Sequence, residues 1–381
     1  MRPHPSRCLA TPLPPAAVAL LLAAAACGGR AGTEPDPPDG DALAAIVAVG
    51  RLERGLPVVL RAVTSAGDTL PPGSVSWRVD PADAGALSGD TLRLERAGPV
   101  HVTALRDGDE LGRTLDVAVP PLILFDMVVD GNRDLYRAAL DGGDLERLTT
   151  HAGADSDPTV AGDVVVFVSD RDGNGELYAL SLAGGGEDRL TTTVDPEKHP
   201  ALSPDGTRLA FARGYGLARV YVAAADASGA ERPDPAHGHD GTLELSPAWS
   251  PDGESLAFVS TAAGNPDIFR WSGGPATLLE GGSGGEFEPA WSPDGRWIAF
   301  ASTRDGDAEL YLLRLSDGAV TRLTEREGSD GQPAWLADGR IVYVAYTGTT
   351  PSLRWLDPER PGEAHAIPLP GPARNPVAVP Q

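Results

Sequence analysis

The chain has 381 residues, with 46 Gly and 36 Pro against 7 Trp, 7 Tyr and 7 Phe, and is 41% hydrophobic, enough for a folded core in two domains or one long repeat array. Its formal charge of −23, from 31 Lys and Arg against 54 Asp and Glu, argues against nucleic acid or anionic lipid held by a basic surface, since such binding is mostly phosphate neutralisation. Lys198 is the single lysine, so a lysine Schiff base has almost no candidate.

The amino terminus reads as an address. Arg2 and Arg7 precede an apolar run from Ala16 to Ala26, followed by Cys27, Gly28 and Gly29, the layout of a secretory signal over residues 1–26. The run is shorter than the roughly 20 residues that span a bilayer. Its end, Leu22-Ala23-Ala24-Ala25-Ala26-Cys27-Gly28, resembles a bacterial lipobox, with Ala24 where Leu is commonest. The resemblance implies cleavage before Cys27 and a diacylglyceryl group on its thiol, making the chain a lipoprotein of the cell envelope. Cys8 would leave with the signal, so the mature chain would have no disulfide. Residues 27–41 have the Pro, Gly and acidic content of a flexible tether.

Residues 42–120 alternate apolar and polar positions in short runs between turns. Val58, Leu60 and Ala62 form one such run; Val75, Trp77 and Val79, Leu92 and Leu94, Val100, Val102 and Ala104, and Leu115, Val117 and Val119 form others. This spacing predicts a β-sandwich. The segment resembles a bacterial immunoglobulin-like domain through its Val75-Ser76-Trp77 strand end, Ala97 to Ala104 and the closing Leu115 to Val119. That family implies a spacer or adhesion module.

Residues 122–381 repeat. Ala248-Trp249-Ser250-Pro251-Asp252-Gly253 recurs as Ala290-Trp291-Ser292-Pro293-Asp294-Gly295, and in weaker form from Ala201 and Ala334. Aligned on Pro158, Pro200, Pro247, Pro289, Pro333 and Pro376, the units are spaced 42 to 47 residues apart. Each unit holds an opening strand, a Ser-Pro-Asp-Gly reversal, a buried strand, a second turn, a third strand and an Arg-Leu-Thr run, as at Arg147, Arg189 and Arg322. Four short strands at this period describe a propeller blade. The array starts at the second strand of a unit, Leu122 to Phe125, and ends on the first strand of another, Asn375 to Val379. Pairing these ends completes a ring of six and removes an open sheet edge. The fold class is therefore all-β, a sandwich followed by a six-bladed propeller.

The repeated Pro-Ala-Trp-Ser-Pro-Asp-Gly unit resembles the TolB-type, WD-repeat-like β-propeller family. The resemblance implies a protein-binding platform in the bacterial envelope. Similar blades precede catalytic domains in prolyl-oligopeptidase-like enzymes; a hydrolase domain after the propeller is not expected here. The unit opening at Pro200 departs most from the pattern: Gly214 to Arg219 replaces the Asp-Gly-Asn turn, and a long connection carries His237-Gly238-His239-Asp240.

Three local motifs read as structure. Gly281-Gly282-Ser283-Gly284-Gly285 matches a nucleophile elbow in letters, but no helix follows, so an inter-blade linker is expected. Asp170-Arg171-Asp172-Gly173-Asn174-Gly175 opens like a calcium loop, yet Ser181 stands where a bidentate Glu is required; the blade's own hairpin turn is expected. His237, His239 and Asp240 could serve zinc but lack an identifiable third ligand, and a solvated loop is expected.

One pattern points to a site. Three residues before five of the six opening prolines stand Asp155, Glu197, Glu244, Glu286 and Asp330; one residue before each stand Asp157, His199, Ser246, Glu288, Gln332 and Asn375. With the strand after the proline innermost, both sets are expected to ring one mouth of the central channel. They are either solvated loops of an acidic protein or a ring whose focused field concentrates a cation or a basic peptide. The function expected is a non-catalytic, cofactor-free, monomeric envelope lipoprotein that binds an envelope protein or peptide. The alternative is a metal-dependent hydrolase or lyase using these carboxylates and His199.

Overall fold

The computed structural model describes residues 43–379 apart from 50–51, 55, 81–84, 95–97, 107–108, 119, 235–236 and 238–240. The signal segment, Cys27, the tether, His239 and Asp240 lie outside the described residues. Every regular element among the described residues is a strand.

The first unit stacks two antiparallel sheets. One contains Leu43–Val49, Pro57–Thr64, Thr91–Leu94 and Gly85–Ser88; the other contains Ser76–Asp80, Gly98–Arg106 and Asp109–Val117. Alternate residues of Pro57–Thr64 are buried, as a half-solvated strand requires. Val58, Leu60, Leu92 and Leu94 from the first sheet meet Val100, Val102, Leu115 and Val117 from the second in one core. The Trp77 indole N–H donates to Asp90 at 2.8 Å, which fastens the turn before Thr91.

The second unit is a closed six-bladed propeller. Blade 1 is built from both ends of the repeat region: Leu122–Val129, Asn132–Ala139 and Glu146–Arg147 are joined by Ala373–Ala378, which pairs Val377 with Leu124 and Ala378 with Ile123. Blades 2, 4, 5 and 6 open on Asp155–Ala161, Glu244–Trp249, Glu286–Trp291 and Asp330–Trp335, with four strands each. Blade 3 opens on Glu197–Leu202 and has three strands, with a lone Val222–Glu231 bridge where a fourth would lie.

The second strand of each blade is apolar on both faces because it sits between neighbours. In Trp297–Ser302, Ile298 and Phe300 pack toward blade 4 while Ala299 and Ala301 pack toward blade 6. Every pair of adjacent blades shares such a cluster, including blades 6 and 1, where Val342 and Val344 meet Ile123 and Phe125.

The repeated motifs are fasteners. In Ser-Pro-Asp-Gly, the serine hydroxyl donates to the aspartate, the Gly N–H donates back to the serine carbonyl, and Gly206, Gly253 and Gly295 take the positive φ that closes the turn. The donors hold these aspartates below the usual carboxylate range, Asp205 at about 2. Each repeat tryptophan ties its blade to the preceding one: the Trp249, Trp291 and Trp335 indoles donate to the carbonyls of Ala201, Ala248 and Ala290, all at 3.1 Å. In Arg-Leu-Thr, the hydroxyls of Thr149, Thr191 and Thr324 accept the N–H groups of Leu135, Leu177 and Leu310, latching the outer edge.

The sandwich is docked on the propeller. Arg340, fully buried after the first turn of blade 6, donates from Nη1 and Nη2 to the two Glu53 oxygens at 3.1 and 2.9 Å. Arg54 reaches Asp141 at 2.6 Å and Asp144 at 2.8 Å on blade 1, and Leu56 packs onto the blade 6–blade 1 cluster. The sandwich therefore sits over the junction of blades 6 and 1.

Candidate binding site at the channel mouth

The site grows from one backbone irregularity repeated six times. Each innermost strand breaks register as it passes its opening proline, between Ser156 and Thr159, Lys198 and Ala201, Leu245 and Ala248, Phe287 and Ala290, Gly331 and Ala334, and Arg374 and Val377. One extra residue is accommodated as a β-bulge, where proline's missing N–H is harmless. The residue before the proline is forced to a left-handed φ of 50° at Asp157 and His199, 49° at Ser246, 55° at Glu288, and 51° at Gln332 and Asn375. None is glycine, and each costs roughly 1 kcal/mol or more. All six line one cavity of about 150 Å³ together with their prolines.

Hydrogen bonds join most of the ring. Glu288 accepts the Gln332 N–H at 2.6 Å, and Gln332 accepts the Asn375 N–H at 3.0 Å. Asn375 donates from Nδ2 to Asp157 at 2.7 Å and to Asp126 at 2.6 Å, and Asp157 stands 3.5 Å from the His199 N–H. His199 Nδ1 is buried without a partner, and burial lowers the pKa of the ring. Burial raises that of Glu288, partly offset by the Gln332 N–H. Asp157, His199 and Ser246 stand on consecutive blades, but an unpartnered Nδ1 is not the carboxylate-oriented imidazole of a nucleophilic triad.

The residues three before the proline are placed differently from expectation. Asp155, Glu197, Glu244, Glu286 and Asp330 are all buried. Each pairs with an arginine: Arg171 at 3.0 Å, Arg213 at 2.8 Å, Arg232 at 3.0 Å, Arg304 at 3.1 Å and Arg326 at 2.9 Å respectively. Glu197 also accepts from the Thr191 and Thr193 hydroxyls that lead out of blade 2. These carboxylates neutralise arginines inside the blades. The mouth is lined by the second set, with Asp330 touching only a side cavity of about 280 Å³ shared with His199, Ser246, Glu288 and Gln332.

The other local motifs resolve as follows. Asp172 accepts the Tyr178 hydroxyl and pairs with Arg189, so its turn is the blade's hairpin. The Gly281–Gly285 segment links blade 4 to blade 5. His237 is partly buried: its ring packs edge-on to Phe258 and Phe269 at 5.3 and 4.7 Å, and Nε2 lies 3.0 Å from the Ser260 hydroxyl.

Asp126 belongs to the site although its sequence position does not align with the ring. It is 1% exposed in the second strand of blade 1, and burial pushes its pKa up to about 7, with Arg133 opposing. Its signal was a carboxylate inside the otherwise apolar Leu122–Val129 strand. Between about pH 4 and pH 7 the folded chain then holds a proton that the unfolded chain has lost, so stability falls as pH rises through this window. Asp126→Asn is expected to raise stability by a few kcal/mol at pH 8 and to leave it nearly unchanged at pH 4. Denaturant titrations at the two pH values measure this; a loss at pH 8 would contradict the assignment.

A family model described as the TolB beta propeller domain matches residues 122–233 and 225–353. Among solved structures, TolB from Acinetobacter baumannii is 18% identical with a TM-score of 0.61, over 75% of this chain and 80% of that one. A putative TolB from Agrobacterium tumefaciens is 21% identical with a TM-score of 0.55, over 67% and 90%. Hydrazine synthase of Kuenenia stuttgartiensis is 15% identical with a TM-score of 0.55, over 68% of this chain and 46% of that one. These likenesses show the fold, which hosts both enzymes and non-enzymes. Comparison with curated protein sequences finds no match.

Proposed function

The chain belongs to the TolB beta propeller domain family, and from that premise we propose that it is a non-catalytic, monomeric cell-envelope lipoprotein whose channel mouth binds an envelope protein or peptide. Cys27 would carry the lipid, residues 27–41 the tether, and an immunoglobulin-like sandwich would hold the propeller off the membrane. No cofactor and no nucleic acid enter this reading.

The observation that carries it is the ring of six strained residues midway along the innermost strands, with Asp157, Glu288 and Asp126 as its acids. Strain of this kind persists where a site is shaped for use. The sandwich docks beside the first turn of blade 6, which follows the C-terminal end of the innermost strand Asp330–Trp335. The Asp157 carboxylate, joined by Glu288 and Asp126 once they ionise, gives the mouth a field that favours a basic segment.

The catalytic alternative has one feature in its favour, the unpartnered Nδ1 of His199. It needs a metal site, and among the described residues no three His, Cys, Asp or Glu side chains are grouped to hold an ion. The binding reading is tested by capture from a detergent-solubilised envelope fraction. The wild-type full chain is expected to retain a protein that the Asp157→Asn/Glu288→Gln variant retains about tenfold less. Equal capture by both would overturn a binding role for the mouth.

A further inference from the structure

Three of the blade junctions share one arrangement of charge. Blade 1 meets blade 2 with the buried Asp134 and Asp155 carboxylates paired to Arg147 and Arg171. Blade 2 meets blade 3 with Glu176 and Glu197 paired to Arg189 and Arg213, and blade 5 meets blade 6 with Glu309 and Asp330 paired to Arg322 and Arg326. In each junction one guanidinium comes from the Arg-Leu-Thr run. Arg147, Arg189 and Arg322 stand opposite Tyr136, Tyr178 and Tyr311 and reach inward from the surface, with 31 to 41% of the side chain exposed.

The junction of blades 4 and 5 breaks this pattern. The register places Leu278 opposite Phe269, so a leucine stands where the other blades carry the arginine, and Glu280 stands where they carry the threonine. Asp267 and Glu286, 4% and 0% exposed, are thus joined by a third carboxylate. Among the described residues Arg304 alone pairs with the group, its Nη2 reaching Glu280 at 2.7 Å and Glu286 at 3.1 Å. Asp267 Oδ1 and Glu286 Oε2 are buried without a hydrogen-bond partner. Burial raises the Glu286 pKa, Arg304 opposes it, and the Asp267 carboxyl within hydrogen-bond reach raises it further. Both carboxyls lie against an exposed glycine pair: a Cβ on Gly281 would stand 2.8 Å from Asp267 Oδ1, and one on Gly282 3.6 Å from Glu286 Oε1.

Three carboxylates therefore face one guanidinium where the equivalent junctions match two with two. Buried carboxylate oxygens without donors are costly, and each calls for a reason. The equivalent slots show what fits: a guanidinium entering from the outer strand. Two orphan oxygens on neighbouring carboxyls suit its planar fork of donors better than a point charge. Leu278, 51% exposed, leaves an apolar rim for the methylene stem of such a side chain.

We propose that the junction of blades 4 and 5 is a docking slot for an arginine side chain of a peptide or protein partner, which lays its methylenes along Leu278 and its guanidinium against Asp267 and Glu286. The partner thus supplies the group that three other junctions carry in their own chain. None of the six ring residues of the mouth takes part, so the slot stands or falls apart from the mouth.

The test titrates the full chain at pH 8 with an acetylated, amidated Ala-Arg-Ala peptide and with its Ala-Lys-Ala counterpart, read by NMR. Two variants are compared with wild type: Leu278→Arg, which fills the slot from within, and Asp267→Asn, which removes a carboxylate; circular dichroism confirms that both fold. The arginine peptide is expected to bind wild type with a dissociation constant of about 1 mM and each variant about tenfold more weakly. Leu278→Arg is also expected to melt about 3 °C higher than wild type, because its own guanidinium completes the junction. No binding to wild type, equal binding to both variants, or a Leu278→Arg chain that melts below wild type would overturn the slot. Lysine peptide bound as tightly as arginine peptide would overturn the guanidinium as its ligand.

Discussion

A chain ending at Gly371 is expected not to accumulate as a soluble monomer. Residues 373–378 supply the innermost strand of blade 1, so their loss uncovers the edge of Leu122–Val129 and the cluster in which fully buried Ala373 packs on Met127 and Tyr136. It also removes Asn375, the residue that bridges Asp126 and Asp157 across the join. An uncovered apolar strand edge templates association. The loss of a whole inner strand is on the scale of a domain's total stability, about 5 kcal/mol or more. Size-exclusion chromatography with circular dichroism measures the outcome; a truncated chain that stays monomeric and melts like the full chain would show that the ring does not depend on this strand.

Arg340→Met is expected to cost about 3 to 5 kcal/mol, because it strands the buried Glu53 carboxylate at the domain junction without its counter-charge. Asp338 loses the same guanidinium but is 31% exposed and can turn to water. The double variant Arg340→Met/Glu53→Leu is expected to recover most of the loss, as apolar replacement of both partners of a buried pair often does. Urea titrations of the two variants decide the matter. A single-variant loss below about 1 kcal/mol would mean that the pair does not hold the sandwich to the propeller.

The propeller was legible because its signals are local and recur in phase. Gly at the fourth position of Ser-Pro-Asp-Gly has to be there for the positive φ, and the strands in Leu209 to Ala212 and Ile298 to Ala301 must be apolar on both faces. The site was half legible for a reason that also lies in the backbone. In a regular strand, residues three and one before the proline share a face, so Asp155 and Asp157 read as one ring. The bulge at each proline breaks that period and turns Asp157 and its five equivalents to the axis, while Asp155 and its four equivalents stay among the arginines. A bulge leaves no mark in composition beyond the proline itself. The docking of the sandwich was hidden for another reason. Arg340 and Glu53 are 287 residues apart in sequence, and each alone reads as a surface charge.

The central claim is that the last strand closes a ring of six equivalent blades. Hydrogen–deuterium exchange of the full chain tests it directly, because amides held in a closed core exchange only when the whole domain opens. The bonded amides of Ala373–Ala378 are expected to exchange as slowly as those of their partners in Leu122–Val129. Exchange of Ala373–Ala378 within seconds, while Leu122–Val129 stays protected by Asn132–Ala139, would contradict closure.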